Sequence, residues 1–106
     1  MSVFRIGEIQ SKPEWVTEMR EFLISIMAGI ESSHGCESVQ LYQSHDESTK
    51  FTMIEVWDSI ESHQASVKNI SPDDLAKIRP MLASAPSGSY FELVAGPTGS
   101  PQQKNR

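Results

Sequence analysis

The clearest pattern of apolar and polar positions lies between Lys50 and Asn69. Within it, residues 51–57 read FTMIEVW, and apolar side chains occupy both alternating sets of positions. An antiparallel strand with one solvated face would instead alternate apolar and polar residues. The pattern therefore predicts a strand that is covered on both faces. Because the helices of a 106-residue chain can cover only one face of a sheet, we expect a second copy of the protein to cover the other.

A long helix is predicted upstream of this strand. Apolar residues recur at helical spacing from Trp15 to Ile30, at positions 15, 16, 19, 22, 23, 26, 27 and 30. The sequence SKPE at 11–14 has the form of a capping box with proline in the first turn, which predicts the start of this helix. Gly35 is predicted to end it in a left-handed conformation.

The remaining elements complete a recognisable order. Asp58 or Ser59 is predicted to cap a second helix, and Ser71 a third helix that Pro80 bends or tightens. Four strands are predicted, at residues 3–9, 36–44, 51–57 and 90–95. The order β-α-β-β-α(α)-β is that of an α+β, ferredoxin-like split β-α-β fold, with a four-stranded antiparallel sheet and helices on one face. We expect one domain over residues 1–96, followed by a flexible C-terminal tail at 97–106 that has no apolar residue.

Composition and charge narrow the possible partners. Fourteen acidic residues against nine basic ones give a net charge of −5, and no run of Lys or Arg is longer than one. A nucleic acid or an anionic membrane would require a basic patch, so neither is an expected partner. No apolar segment approaches the roughly 18 residues of a membrane span, and residues 1–10 lack the features of a signal peptide. With Cys36 as its single cysteine, the chain is expected to be cytoplasmic.

His63 is the first candidate for chemistry. It follows Ile60 by three positions and precedes Val67 by four, so the three share one helical face and His63 is predicted to point inward. One interpretation is a packed histidine that is hydrogen-bonded to a strand. The other is a neutral imidazole that lines a pocket between helix and sheet, where burial favours the proton-accepting form.

Glu55 is the second candidate, because it shares its side of the strand with Phe51, Met53 and Trp57. A carboxylate in such surroundings must find a partner. A hydrogen bond across a dimer interface is the favoured interpretation, and a catalytic role is the alternative.

Other side chains add weaker signals. Trp57, Tyr42, Tyr90 and Asn69 carry polar tips near the ends of the same sheet or helix. The three histidines have no spacing typical of metal ligands, so no metal site is predicted. Cys36 has no base close to it in sequence and is interpreted as an inert thiol.

These residues also carry a resemblance to a known family. A strand that ends Glu-x-Trp, followed by Asp-Ser-x-Glu and then a histidine, resembles the antibiotic biosynthesis monooxygenase family of dimeric α/β-barrel proteins. The entry Gly35-Cys36-Glu37 into the second strand is similar too, and the resemblance extends over residues 2–95. The matching positions of the first motif are Glu55, Trp57, Asp58, Ser59, Glu61 and His63.

The resemblance implies a homodimer through the sheet faces and a monooxygenase that uses O₂ without any cofactor. Its substrate would be a small phenolic, anthrone-like or hydroquinone compound, which reduces O₂ directly once it is deprotonated. His63 would accept the proton, and Trp57, Tyr42, Asn69 and Glu55 would contact the substrate. The alternative on the same fold is a non-enzymatic small-molecule binding protein or an isomerase of a small metabolite. Haem degradation is disfavoured, because residues 71–85 lack the histidine and residues 3–9 the asparagine of haem-degrading relatives.

Overall fold

The computed structural model describes residues 1–97. The predicted flexible tail falls almost entirely on residues 98–106, outside the described part, and it stays a prediction. Two short 3₁₀ helices adjoin the first and third helices, at Pro13–Trp15 and Arg79–Met81. The main elements are β1 (Val3–Gln10), α1 (Val16–Glu31), β2 (Cys36–Gln43), β3 (Lys50–Trp57), α2 (Ile60–Val67), α3 (Pro72–Ile78) and β4 (Ser87–Phe91).

The strands form one sheet in the order β2-β3-β1-β4, and every neighbouring pair is antiparallel. This arrangement confirms the predicted α+β, ferredoxin-like fold. The main core lies between the sheet and α1, where Met19, Phe22 and Leu23 pack with Phe51 and Met53 of β3. The helices therefore cover the face of β3 that carries Phe51 and Met53.

The opposite face of the sheet is left open by the helices. On β3 this face carries Ile54 and Val56, which lie beside Ile6 and Phe4 of β1 in the antiparallel register. All four side chains are only partly buried. The doubly apolar pattern of residues 51–57 thus corresponds to one face beneath the helices and one apolar face without a covering element among residues 1–97.

The start of α1 differs from the predicted capping box. Ser11 is buried, and its hydroxyl donates to the carbonyl of Lys12 rather than accepting from the helix. Its backbone N–H donates to Thr49, and it forms a bridge with Leu82, so Ser11 still belongs to the sheet side of the turn. The chain enters α1 through the 3₁₀ turn at Pro13–Trp15 instead.

The later helices begin as predicted. Ser59, one of the two candidates, caps α2 by accepting from the backbone N–H of Ser62, and Ser71 caps α3 by accepting from that of Asp73. Pro80 lies in the 3₁₀ turn that follows Ile78, so the third helix tightens there, as expected.

The last strand was predicted at residues 90–95 and is found at Ser87–Phe91 instead. Its first residues are small, and Gly88 pairs with Gly7 of β1. A Cβ atom at position 88 would lie 2.7 Å from the guanidinium of Arg5. Gly88 therefore leaves room beside β4 for the large side chain of Arg5 on the neighbouring strand.

Candidate active site

A cavity of about 520 Å³ lies between β3 and the three helices. Its volume is in the range of small-molecule sites. Glu55 of β3 and His63 of α2 contribute polar groups to the end of the cavity that is closest to the sheet. The apolar walls come from α1 and from the segment around α3, with Phe22, Ile26, Ile30, Ile70, Leu75 and Ile78.

His63 lies on the inward side of α2 and is 9% exposed. Its ring makes edge-to-face contacts with Trp57 and Tyr90, at centroid distances of 5.5 and 5.4 Å. Its Nδ1 atom shares a hydrogen bond of 2.6 Å with the Tyr90 hydroxyl. His63 also lines the cavity. It is therefore both hydrogen-bonded to a strand and part of a pocket wall, so the two interpretations drawn from the sequence are compatible.

Glu55 points to the same cavity, on the face of β3 that the helices cover. The indole N–H of Trp57 donates to its Oε1 atom at 2.8 Å. This geometry contradicts a hydrogen bond across an interface at the open face, because Glu55 lies on the other side of the sheet. Oε1 is 3.9 Å from Nε2 of His63, which is beyond hydrogen-bonding distance.

The charge states of this pair follow from burial. Burial raises the pKa of the Glu55 carboxyl, and the Trp57 hydrogen bond and the Arg5 charge oppose that shift only in part. Burial also lowers the pKa of His63, and the positive charge of Arg5 adds to the effect. The separation would permit an ion pair, but the lowered pKa of His63 keeps its imidazole uncharged at neutral pH, so no ion pair forms with Glu55. We therefore assign a neutral His63, whose Nε2 atom can accept a proton when Nδ1 carries the hydrogen of the ring.

Arg5 is a member of this cluster that the sequence analysis did not identify. In the register of the sheet it is the partner of Glu55 on β3 and of Tyr90 on β4. Its guanidinium carbon lies 4.8 Å from the centroid of the Tyr90 ring, a cation–π contact. Arg5 is two positions after Val3, so the two side chains lie on the same face of β1. The sequence could not show that this is the face beneath the helices, because that depends on how β1 pairs with β3.

The structure brings together some of the five predicted site residues and not others. His63, Glu55 and Asn69 all line the cavity. Trp57 is fully buried behind it and reaches it through its contacts with His63 and Glu55. Tyr42 lies on the open face of the sheet, where its hydroxyl donates to Gln40. Its partner in the register is Thr52 rather than a helix-facing residue, so it is remote from the cavity.

The described residues offer little for metal or thiol chemistry. Within residues 1–97, no three His, Cys, Asp or Glu side chains form a group that could hold a metal ion. Burial, together with the charge of Glu55, raises the pKa of the Cys36 thiol to about 11. The thiol is therefore protonated at neutral pH and is a poor nucleophile. Among these residues no helix has the length and apolar character needed to cross a membrane.

Comparison with known proteins identifies relatives of this chain. Rv0793 from Mycobacterium tuberculosis has a TM-score of 0.78 at 18% identity, with 92% of this chain and 100% of that chain covered. A "putative Antibiotic biosynthesis monooxygenase" from Chloroflexus aurantiacus has a TM-score of 0.69 at 27% identity, covering 92% and 98%. No curated protein sequence matches the chain. The family model for antibiotic biosynthesis monooxygenase matches residues 2–71, and the chain therefore belongs to that family.

Proposed function

We propose that this protein is a monooxygenase that oxidises a phenolic, anthrone-like or hydroquinone substrate with O₂ and needs no bound cofactor. The observation that carries the proposal is a neutral His63 beside Glu55 in a cavity whose walls from α1 and α3 are largely apolar. Membership in the antibiotic biosynthesis monooxygenase family supports the same class of reaction.

The first step is a proton transfer from the substrate to Nε2 of His63. The proton comes from the hydroxyl of a phenol or hydroquinone, or from the methylene carbon of anthrone. This nitrogen is the available one, because Nδ1 is already bonded to Tyr90. The nearby Glu55 carboxylate favours the imidazolium that results. The amide of Asn69, which also lines the cavity, can donate a hydrogen bond to the substrate oxyanion.

The oxidation then proceeds on the substrate itself. For anthrone, the anion gives one electron to O₂, and the resulting radical and superoxide combine to form a C–O bond. The second hydrogen of the methylene carbon leaves as a proton as the O–O bond breaks. One oxygen atom remains as the new carbonyl of anthraquinone, and the other leaves as water. No external reductant is needed, and the apolar walls reduce the contact of the reacting anion with solvent.

Oxygen consumption with anthrone and a panel of hydroquinones, without added cofactor, tests the proposal. We expect anthraquinone to form with one O₂ consumed per molecule. His63→Gln should reduce turnover by about 10²–10⁴-fold, the usual effect of removing a general base. Glutamine is chosen over alanine because it fills more of the buried space that the imidazole occupies.

His34→Gln is the matched control, because His34 is exposed on a different part of the chain. It should retain full turnover. Unchanged turnover in His63→Gln, with O₂ uptake by the wild type, would reject His63 as the base. Ligand binding without O₂ consumption by the wild type would instead favour a binding protein or an isomerase.

A further inference from the structure

The polar groups of the cavity are unsuited to a negatively charged ligand. Two carboxylates, Glu55 and Asp74, line it, and no lysine or arginine is among its lining residues within the described part of the chain. From this arrangement we propose that the cavity selects uncharged aromatic phenols and rejects those that carry a carboxylate, sulfonate or phosphate group. The inference rests on the proposed function, since it defines the substrate class of the same site.

The hydroxyl groups of the cavity are largely engaged elsewhere. Three of its serines donate to backbone carbonyls of the helices: Ser25 to Phe22 at 2.6 Å, Ser33 to Gly29 at 3.0 Å and Ser66 to His63 at 2.7 Å. A hydroxyl has one proton to donate, so these groups can only accept from a ligand. Acceptors stabilise a neutral hydroxyl and repel an anion.

The positive charge that acts on Glu55 and His63 is also committed. The guanidinium of Arg5 lies over the Tyr90 ring, and Arg5 is flanked in the sheet by Glu55 of β3 and Tyr90 of β4. It is not one of the residues that line the cavity. His63 is neutral because burial lowers its pKa. An anionic substituent would therefore lose its hydration, and the lining side chains left to donate to it are the amide of Asn69 and the hydroxyl of Ser71. The net charge of −5 adds a repulsive field around the whole molecule.

A neutral phenol has the opposite balance. Its hydroxyl needs one acceptor, which His63 supplies, and its rings contact the apolar walls from α1 and α3. The cavity thus recognises a fused-ring phenol by burial of its rings and by a single proton acceptor.

A pair of ligands of nearly equal size tests the inference. Methyl 6-hydroxy-2-naphthoate is uncharged, whereas 6-hydroxy-2-naphthoate carries a carboxylate at pH 8. Isothermal titration calorimetry with the full chain should show at least about tenfold tighter binding of the ester. Asp74→Asn should narrow that ratio by about 2–5-fold, the range expected for one partly exposed charge.

Asp73→Asn is the matched variant, because it removes the same charge from the first turn of α3 at a residue that does not line the cavity. It should leave the ratio unchanged.

Equal affinity for the acid and the ester would overturn the inference and leave the proposed oxygenation intact. An equal effect of the two aspartate variants on the affinity ratio would overturn the role of the Asp74 charge. Absence of binding by both ligands would overturn the inference. Ester binding without O₂ uptake would overturn the proposed function alone.

Discussion

The Nδ1 atom of His63 lies 2.6 Å from the hydroxyl of Tyr90, a residue 27 positions later on the edge strand β4. This bond fixes the imidazole ring and leaves Nε2 directed toward Glu55, with 3.9 Å between the two atoms. When Nδ1 carries the proton and donates to Tyr90, Nε2 has the free lone pair that a substrate hydroxyl requires. Tyr90 is therefore a positioning residue for His63.

Tyr90→Phe removes the hydroxyl and keeps the ring. We expect turnover to fall by about tenfold, because the buried Nδ1 loses the partner that fixes its protonation. The ¹⁵N chemical shifts of the His63 imidazole should show a lower fraction of the Nδ1–H tautomer than in the wild type. These shifts report the protonation of each nitrogen and would not respond to a loss of packing alone.

Tyr42→Phe is the control for this prediction, since it removes a hydroxyl on the opposite face of the sheet. It should change neither the turnover nor the His63 spectrum. If Tyr90→Phe leaves the tautomer fractions as they are in the wild type, Tyr90 does not position the base.

The pH dependence of catalysis follows from the lowered pKa of His63. Burial, and then the charge of Arg5, lower it from its ordinary value of 6.5. A base works only when unprotonated, so kcat/KM should be retained at neutral pH and lost as the pH falls through a midpoint below 6.5. Arg5→Met should move the midpoint up toward the ordinary value, whereas Arg20→Met on the exposed side of α1 should not. A wild-type midpoint above 6.5 would contradict this assignment.

The open face of the sheet predicts the oligomeric state. We expect a homodimer in which the faces that carry Phe4, Ile6, Ile54 and Val56 pack together and bury at least ~1,600 Å². Light scattering should give twice the subunit mass of 11.8 kDa at micromolar concentration. Ile54→Lys should shift the mass to that of the monomer, because it introduces a charge into the centre of the interface.

Ile24→Lys is the control for the dimer, since Ile24 is 52% exposed on α1, on the helix side of the sheet. The mass of this variant should remain that of the dimer. A monomeric wild type would exclude packing through the sheet faces at this concentration.

Gly35 joins α1 to β2 with a φ of +87°, in the left-handed region. An added Cβ would lie 2.5 Å from the hydroxyl oxygen of Ser62 and 2.6 Å from a carboxylate oxygen of Asp58. The Gly35 carbonyl also accepts from the Asp58 N–H, at the turn that leads to His63. Gly35→Ala should therefore reduce the free energy of unfolding by about 1–3 kcal/mol in denaturant titrations.

Gly29→Ala is the matched substitution, at a helical position of α1 where a Cβ would meet no atom within 4 Å. It should increase the free energy of unfolding by about 0.5–1 kcal/mol, because alanine is the better helix former. Equal losses in the two variants would show that the strain at Gly35 is not the cause.

The sequence alone was sufficient for features that depend on neighbouring residues. The 3.6-residue period of α1, the two apolar faces of β3 and the caps at Ser59 and Ser71 are each properties of residues close together in the chain. The same local logic predicted that His63 points inward. It also grouped Glu55 with Phe51, Met53 and Trp57 on one side of β3, which the structure confirms.

What the sequence did not determine is which side of each strand faces the helices. Alternation is a property of one strand, but its phase relative to the next strand depends on the register of their hydrogen bonds. That register places Arg5 and Tyr90 beside Glu55, and it places Tyr42 on the opposite face of the sheet. The cluster around His63 combines residues from β1, β3, α2 and β4, so only the tertiary structure decided its membership.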